Sequence, residues 1–389
     1  MSLYIETSYD SLFKHGEELC GDKVELVKTD SETILVLSDG LGSGVKANIL
    51  ASLTSKICVT MLAEGASIPD VVETVATTLP VCKERQIAYS TFTILRIKNN
   101  GDATLVEYDN PETIFLHDGV LTFLEKEEFE VAGKKIKEAH FKLVPGDICV
   151  MFSDGAVHAG VGKLLNFGWQ QKHIEDYAQR IWTKDITAHS IQRQMLEACN
   201  SLYMEQPGDD TTFAACRICL PSVAHIMVGP PVNGENDEKV VGELMSTSGR
   251  KIVCGGTTSQ IVSRTIGKPL RVALNYISRD VPPTGLIEGI DLVTEGVITL
   301  GKTLEYIKRY ENGGVGRENA LHAMKDGAAK LAQILIEDCT GAKFLVGRAL
   351  NPAHQNPDLP INLNLKLRIV EDIASALRGL GKAVTVEYF

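Results

Sequence analysis

Two apolar runs in this chain end in the same triplet. Ile34-Leu35-Val36-Leu37 leads into SDGLGSG (38–44), and Ile148-Cys149-Val150-Met151-Phe152 leads into SDGAVHAG (153–160). Asp-Gly is a common turn pair, because Gly accepts positive φ and Asp bonds its own downstream backbone. A hairpin turn, however, is followed by a second strand. After Gly44 the apolar residues Val45, Ile49, Leu50, Leu53, Ile57, Met61 and Leu62 recur at helical spacing instead. Asp39 therefore sits at the exposed mouth of a strand-to-helix loop, a position where carboxylates do chemistry.

The rest of the first 220 residues has strands in clusters with helices in pairs between them. Strand-like runs fall at 3–8, 23–28, 33–38, 91–97, 103–108, 113–117, 139–144, 148–153 and 211–219, and helical patterns at 45–64, 69–79, 169–182 and 187–204. That grouping points to a layered α+β arrangement rather than strict βαβ alternation. After Leu220-Pro221 the rhythm changes. AHIMVG, KIVCGG, IDLVTEG, AKFLVG and AVTVEY read as strands separated by helices, the pattern of an α/β domain with a mostly parallel sheet. A chain of 389 residues exceeds one typical core, so the expected division is 1–220 and 222–389.

The formal charge of −11 argues against a general nucleic-acid or anionic-membrane partner. Nine scattered cysteines give one C-x-x-C, Cys216 and Cys219, on a predicted strand where residues three apart face opposite ways. That arrangement suits buried, reduced thiols. MSLYIETSYD lacks the basic start and apolar core of a signal peptide, and no run approaches ~18 uninterrupted apolar residues, so a cytoplasmic location is expected.

Four acidic loops in the first domain share one setting, a polar turn beside an apolar strand: Asp22 in CGDKVEL, Asp39, Asp154, and the pair Asp209-Asp210 in PGDDTTFAACRI. Gly21, Gly40, Gly155 and Gly208 stand beside them. A single such turn needs no function to explain it, but four in one domain do. No His or Cys accompanies them at metal-ligand spacing. Hard oxygen donors suit Mg²⁺ or Mn²⁺ rather than zinc. Two such ions ~3.5–4 Å apart lower the pKa of a shared water, as phosphate-ester hydrolysis requires.

In order and spacing, GD (21–22), DGLGSG (39–44), SDG (153–155) and GDDTT (208–212) resemble the metal-dependent serine/threonine protein phosphatases, in the bacterial branch typified by the sporulation phosphatase SpoIIE and the sigma-factor regulators. DNPETIFLHDG (109–119) resembles that branch's internal hairpin. The resemblance covers about 220 residues and implies an αββα sandwich with two metals at one edge. It implies that Asp39 bridges both metals and that the Gly40 carbonyl binds the second. Asp154 and Asp209 complete the first. Asp22 holds waters of the second or binds it directly, and Asp210 acts indirectly. It further implies a phosphoprotein substrate, such as an anti-sigma-factor antagonist. The chain departs from the family where Leu41 and Thr211 replace methionines and where Ala156, Val157 and His158 lack an acidic residue. No arginine lies near the N-terminus, where larger members grip phosphate. Lys14 or His15 could substitute, with a solvated lysine as the plainer reading.

The second domain resembles no family identified from its residues. GPP (229–231), CGGTTS (254–259), TEG (294–296) and GRALNPAHQ (347–355) each follow a predicted strand, and such loops share one edge of a parallel sheet. Gly255, Gly256, Thr257 and Thr258 form the candidate site for a small anionic ligand, with Thr257 as helix cap; ordinary loop chemistry uses the same residues. His322, Cys254 and Cys339 read as core or surface residues rather than ligands. The leading reading is a signalling phosphatase with a C-terminal sensor or partner module. A non-catalytic regulator, or a second enzyme in the C-terminal domain, are the competing ones.

Overall fold

The computed structural model describes residues 3–78, 90–272, 280–312, 321, 324–349 and 361–389, and the chain forms two compact units, Met1–Leu220 and Pro221–Phe389. The strands of the first unit are β1 (Tyr4–Leu12), β2 (Asp22–Lys28), β3 (Glu32–Gly40), β4 (Ser90–Lys98), β5 (Asp102–Tyr108), β6 (Ile114–His117), β7 (Val120–Leu121), β8 (Glu127–Val131), β9 (Lys134–Lys142), β10 (Ile148–Phe152) and β11 (Thr211–Cys219). They make two antiparallel sheets, one in the order β1-β11-β10-β6-β7 and the other β2-β3-β4-β5-β9-β8. The helices are α1 (Gly44–Ala63), α2 (Ile68–Thr78), α3 (Asp154–His158), α4 (Gln171–Ile181) and α5 (Ala188–Leu202).

Alternation along the strands explains the layers. Leu35 and Leu37 of β3 meet Cys149 and Met151 of β10 and Ala214 and Cys216 of β11 between the sheets. Ile34 and Val36 point the other way, onto Leu50, Cys58 and Leu62 of α1 and Val71 and Val75 of α2. Ile148, Val150 and Phe152 of β10 likewise face Ile174 and Ala178 of α4 and Ile191 and Met195 of α5. Both sheets are covered on both faces, which is why their strands read as apolar runs. The expected αββα order is what these contacts describe.

Helix α1 corrects the face expected from its apolar spacing. Val45, Ile49 and Leu53 are exposed, and the helix buries Ala47, Ala51, Thr54 and Ser55 alongside Leu50, Cys58, Val59 and Leu62. The reason is close approach: a Cβ on Gly40 would stand 2.1 Å from the carbonyl oxygen of Ala47. Only small side chains fit at that distance. The same helix is long and apolar enough to cross a membrane by composition, and here it packs on β3.

The strands of the second unit are β12 (Val223–Val228), β13 (Lys251–Cys254), β14 (Arg271–Val272), β15 (Gly285–Leu286), β16 (Leu292–Thr294), β17 (Gly341–Val346) and β18 (Ala383–Tyr388). They form one sheet, β14-β15-β16-β13-β12-β17-β18, parallel from β16 to β18, with an antiparallel edge at β14 and β15. Its helices are α6 (Asp237–Met245), α7 (Gly256–Ile266), α8 (Val297–Asn312), α9 (Gly327–Gln333) and α10 (Ile361–Gly379). Residues of α6 and α7 cover one face and those of α8, α9 and α10 the other. Cys254 and Cys339 are buried in this core, as expected. His322, the 350–355 part of the last loop, and Cys82 lie outside the described residues.

Candidate metal centre

The carboxylates meet where β2, β3, α3 and the start of β11 come together. Asp22 and Asp39 are direct cross-strand partners at the open end of the β2–β3 ladder. The backbone of Asp39 is held by Ser90, whose hydroxyl donates to the Asp39 carbonyl oxygen (2.9 Å) and contacts the Ser38 hydroxyl (2.6 Å). The structure ends β3 at Gly40 and begins α1 at Gly44, so Asp39 is the penultimate residue of a strand. Asp154 is the first residue of α3, not a loop residue, and its carboxyl is near enough to act on that of Asp39.

Asp22 ties the two sheets together. Its Oδ2 accepts from the Ser153 hydroxyl (2.7 Å) and the Thr212 hydroxyl (2.8 Å), and the Thr212 N–H donates to the Ser153 hydroxyl (2.9 Å). Its other oxygen, Oδ1, is buried without a partner. Ser153 and Thr212 were not singled out from the sequence. Both nevertheless stand inside the motifs quoted for their neighbours, SDG and GDDTT, and each supplies a hydroxyl that fixes a carboxylate.

Asp210, expected to act on the metals indirectly, holds backbone groups. Its Oδ1 accepts from the Lys14 N–H (3.0 Å) and its Oδ2 from the Gly21 N–H (2.8 Å). Both oxygens are thereby spent on fastening the β1–β2 loop to the start of β11. Asp209 beside it is half-exposed and pairs with the Lys14 ammonium (3.7 Å). Lys14 is thus not simply solvated, as its plainer reading held. It places a positive charge at the rim of the acidic cluster.

The electrostatics follow from this crowding. Burial pushes the Asp22 carboxyl up to about 7, against the two hydroxyl bonds that lower it, with the charges of Asp210 and Asp154 adding to the rise. Asp39 is raised well above the carboxylate range by burial first, then by Asp22 and Asp154. Asp209 is raised by burial and by Asp154, partly offset by Lys14. Among the described residues no three His, Cys, Asp or Glu side chains close into a finished metal cage. The donors are nonetheless all hard oxygens. One is an orphaned buried carboxylate oxygen, and three of the carboxyls are held above their ordinary range. This set fits a divalent cation of the Mg²⁺ or Mn²⁺ kind.

The crowding gives a testable pH dependence in the absence of metal. A carboxyl that titrates near 7 when folded, but near 4 when unfolded, leaves the folded chain holding more protons between those values. In EDTA, stability should therefore fall as pH rises from about 4 to about 7 and then level off. Thermal unfolding from pH 5 to 8 checks this; a melting temperature that climbs through that window would contradict it.

In the second unit, α7 begins at Gly256 with Gly255 (φ +119°) as its capping residue and no side-chain cap. Thr257 is therefore the second helical residue and not the cap, a correction that follows from the left-handed backbone only glycine adopts easily. Thr258 is buried.

Two stacked antiparallel sheets, a helix pair outside each, and aspartates converging at one end give this domain the PP2C-type fold. Residues 29–218 match the family described as Stage II sporulation protein E (SpoIIE). No curated protein matches the chain. Among solved structures, the PP2C phosphatase domain and regulatory-domain fragment of SpoIIE from Bacillus subtilis is 18% identical with a TM-score of 0.48 over 56% of this chain. This chain spans 64% of that structure, less than two thirds of its length. A structure of RsbU and RsbW domains from Mycobacterium tuberculosis is 15% identical, covering 62% of this chain and 70% of its own, with a TM-score of 0.48. RsbX in complex with magnesium is 19% identical, covering 55% and 95%, with a TM-score of 0.40.

Proposed function

We propose that residues 1–220 hydrolyse phosphoserine and phosphothreonine on a bacterial signalling protein in the cytoplasm, with residues 222–389 as a regulatory module. The observation that carries this reading is the convergence of Asp22, Asp39 and Asp154, where burial first and then neighbouring carboxylate charge raise the carboxyls of Asp22 and Asp39. Such repulsion is kept where a cation offsets it. Asp39, between Asp22 on its strand neighbour and Asp154 on α3, would contact both ions, with the Gly40 carbonyl next to it. Asp154 and Asp209 would hold one ion, and the unpartnered Asp22 Oδ1 would serve the other. Two Mn²⁺ or Mg²⁺ ions, when bound, supply a water of lowered pKa for attack on phosphorus. Asp210 keeps the β1–β2 loop in place, and Lys14 balances charge at the entrance.

The test is hydrolysis by the full chain. With Mn²⁺ or Mg²⁺, p-nitrophenyl phosphate and a phosphoserine peptide from an anti-sigma-factor antagonist should both be turned over, and EDTA should stop both. Turnover that persists in EDTA rules the mechanism out.

A further inference from the structure

The five parallel strands of the second unit lie in the order β16-β13-β12-β17-β18. Numbered along the chain, that is third, second, first, fourth, fifth, so the winding reverses between β12 and β17. Sheets of this order take ligands outside the carboxyl ends of the strands beside the reversal, although the order by itself assigns no function. The loop starts there adjoin one another. The Gly229 N–H donates to the Cys254 oxygen (3.4 Å), the Gly255 N–H to the Thr294 oxygen (3.0 Å), and the Gly347 N–H to the Val228 oxygen (2.9 Å).

One of these loops carries an unexplained polar group. Thr258, in the first turn of α7, is 1% exposed, and its hydroxyl has no partner. That hydroxyl faces the Gly255 turn, standing 2.9 Å from where a Cβ on Gly255 would be. A buried hydroxyl left unpaired destabilises the fold that holds it. Directly beside it, a Cβ on Gly256 would meet nothing within 4 Å, so the uncapped start of α7 is open to approach. At the reversal itself, the Lys366 ammonium of α10 lies against Gly229 and donates to the Gly347 oxygen (2.5 Å). The Glu295 carboxylate, in the neighbouring loop, is turned onto its own helix, accepting from the N–H groups of Ile298 (3.2 Å) and Thr299 (3.4 Å).

We propose that a small phosphorylated molecule binds at this sheet edge, with its phosphate on the Gly255–Thr258 turn. Backbone N–H groups at the start of α7, the positive end of its dipole, and the Thr258 hydroxyl are the donors a tetrahedral oxyanion uses. Lys366 supplies the charge at the neighbouring strand ends. The ligand sits on chemistry separate from the aspartates of the first unit, so it stands or falls independently of the phosphatase reading.

Calorimetric titration of the full chain in EDTA tests this, because without a cation the aspartates have nothing with which to hold phosphate. The probes are ADP, NAD⁺, ribose 5-phosphate and inorganic phosphate, with citrate as a phosphate-free anion. At least one phosphate compound should bind, at least tenfold more tightly than citrate. A preference for ADP or NAD⁺ assigns a nucleotide, for ribose 5-phosphate a sugar phosphate, and equal binding of inorganic phosphate assigns the free anion. Gly256→Val fills the approach and should weaken binding at least tenfold, leaving Mn²⁺-dependent hydrolysis unchanged. Thr258→Val should weaken it similarly while raising the melting temperature of the ligand-free protein, because it removes an unpaired buried hydroxyl. Three results each overturn the proposal: no probe binds, citrate binds as well as the phosphates, or both variants bind like the wild type.

Discussion

Asp39→Ala should lower metal-dependent hydrolysis on the order of 10³-fold, a barrier increase of about 4 kcal/mol, while the metal-free protein melts no lower than wild type. The two halves of that result come from one geometry. Asp39 faces Asp22 across the β2–β3 ladder and Asp154 at the start of α3. In the proposed function both cations are organised through this carboxylate, so its loss should disrupt the whole constellation. Without cations it is one member of a cluster of like charges, and its removal relieves the other two. Phosphatase rates with saturating Mn²⁺, paired with thermal unfolding in EDTA, measure both. A variant that keeps its rate would remove Asp39 from the chemistry. One that collapses in EDTA would make it a structural residue.

The largest expected loss of stability comes from a single methyl group. Gly40→Ala places a Cβ 2.1 Å from the carbonyl oxygen and 2.7 Å from the carbonyl carbon of Ala47. Neither neighbour is a side-chain tip that could swing aside, so β3 and α1 must separate. The expected cost exceeds about 3 kcal/mol, or a melting point lower by roughly 6–12 °C for a unit of this size. Gly242→Ala, in the middle of α6 with no atom within 4 Å of the new carbon, is the control. It should raise stability by about 0.5–1 kcal/mol. Thermal unfolding of the two variants decides the matter, and a wild-type melting point for Gly40→Ala would show that the helix does not sit as close to the strand as described.

Much of this was legible before any coordinates. β3, β4, β5, β10 and β11 announce themselves as apolar runs because each is covered on both faces, and α4 and α5 show helical periodicity because only one face is. The aspartates were readable because their loops repeat one composition. The β8–β9 hairpin was missed at Glu127–Val131 and in the first half of β9, for an identifiable reason. Glu128 faces Lys137 and Glu130 faces Lys135 across the ladder, so this edge is written in charge pairs instead of apolar alternation. The buried face of α1 was hidden for the opposite reason. Its contact surface is made of alanine, serine and threonine, which carry little hydrophobic signal, and the conspicuous Val45, Ile49 and Leu53 face outward. Asp210 shows a further limit. Its motif gives it an indirect role at the metals but does not name the Lys14 and Gly21 N–H groups that it holds.

The pairing of β1 with β11 matches Tyr4 to Cys219 and Leu12 to Thr211, so the first strand of the domain closes on its last. During synthesis this strand emerges roughly two hundred residues before its partner, and among the described residues no other strand pairs with it. Asp22 is in the same position, because the Thr212 hydroxyl that holds it also arrives last. Contacts of such long sequence separation carry a large loop-closure cost and slow the approach to the native state. The catalytic end of the domain should accordingly be the last part to become ordered on the ribosome, and nascent chains stopped short of residue 211 should bear no competent site, however much of the β3–β4–β5 meander has already formed.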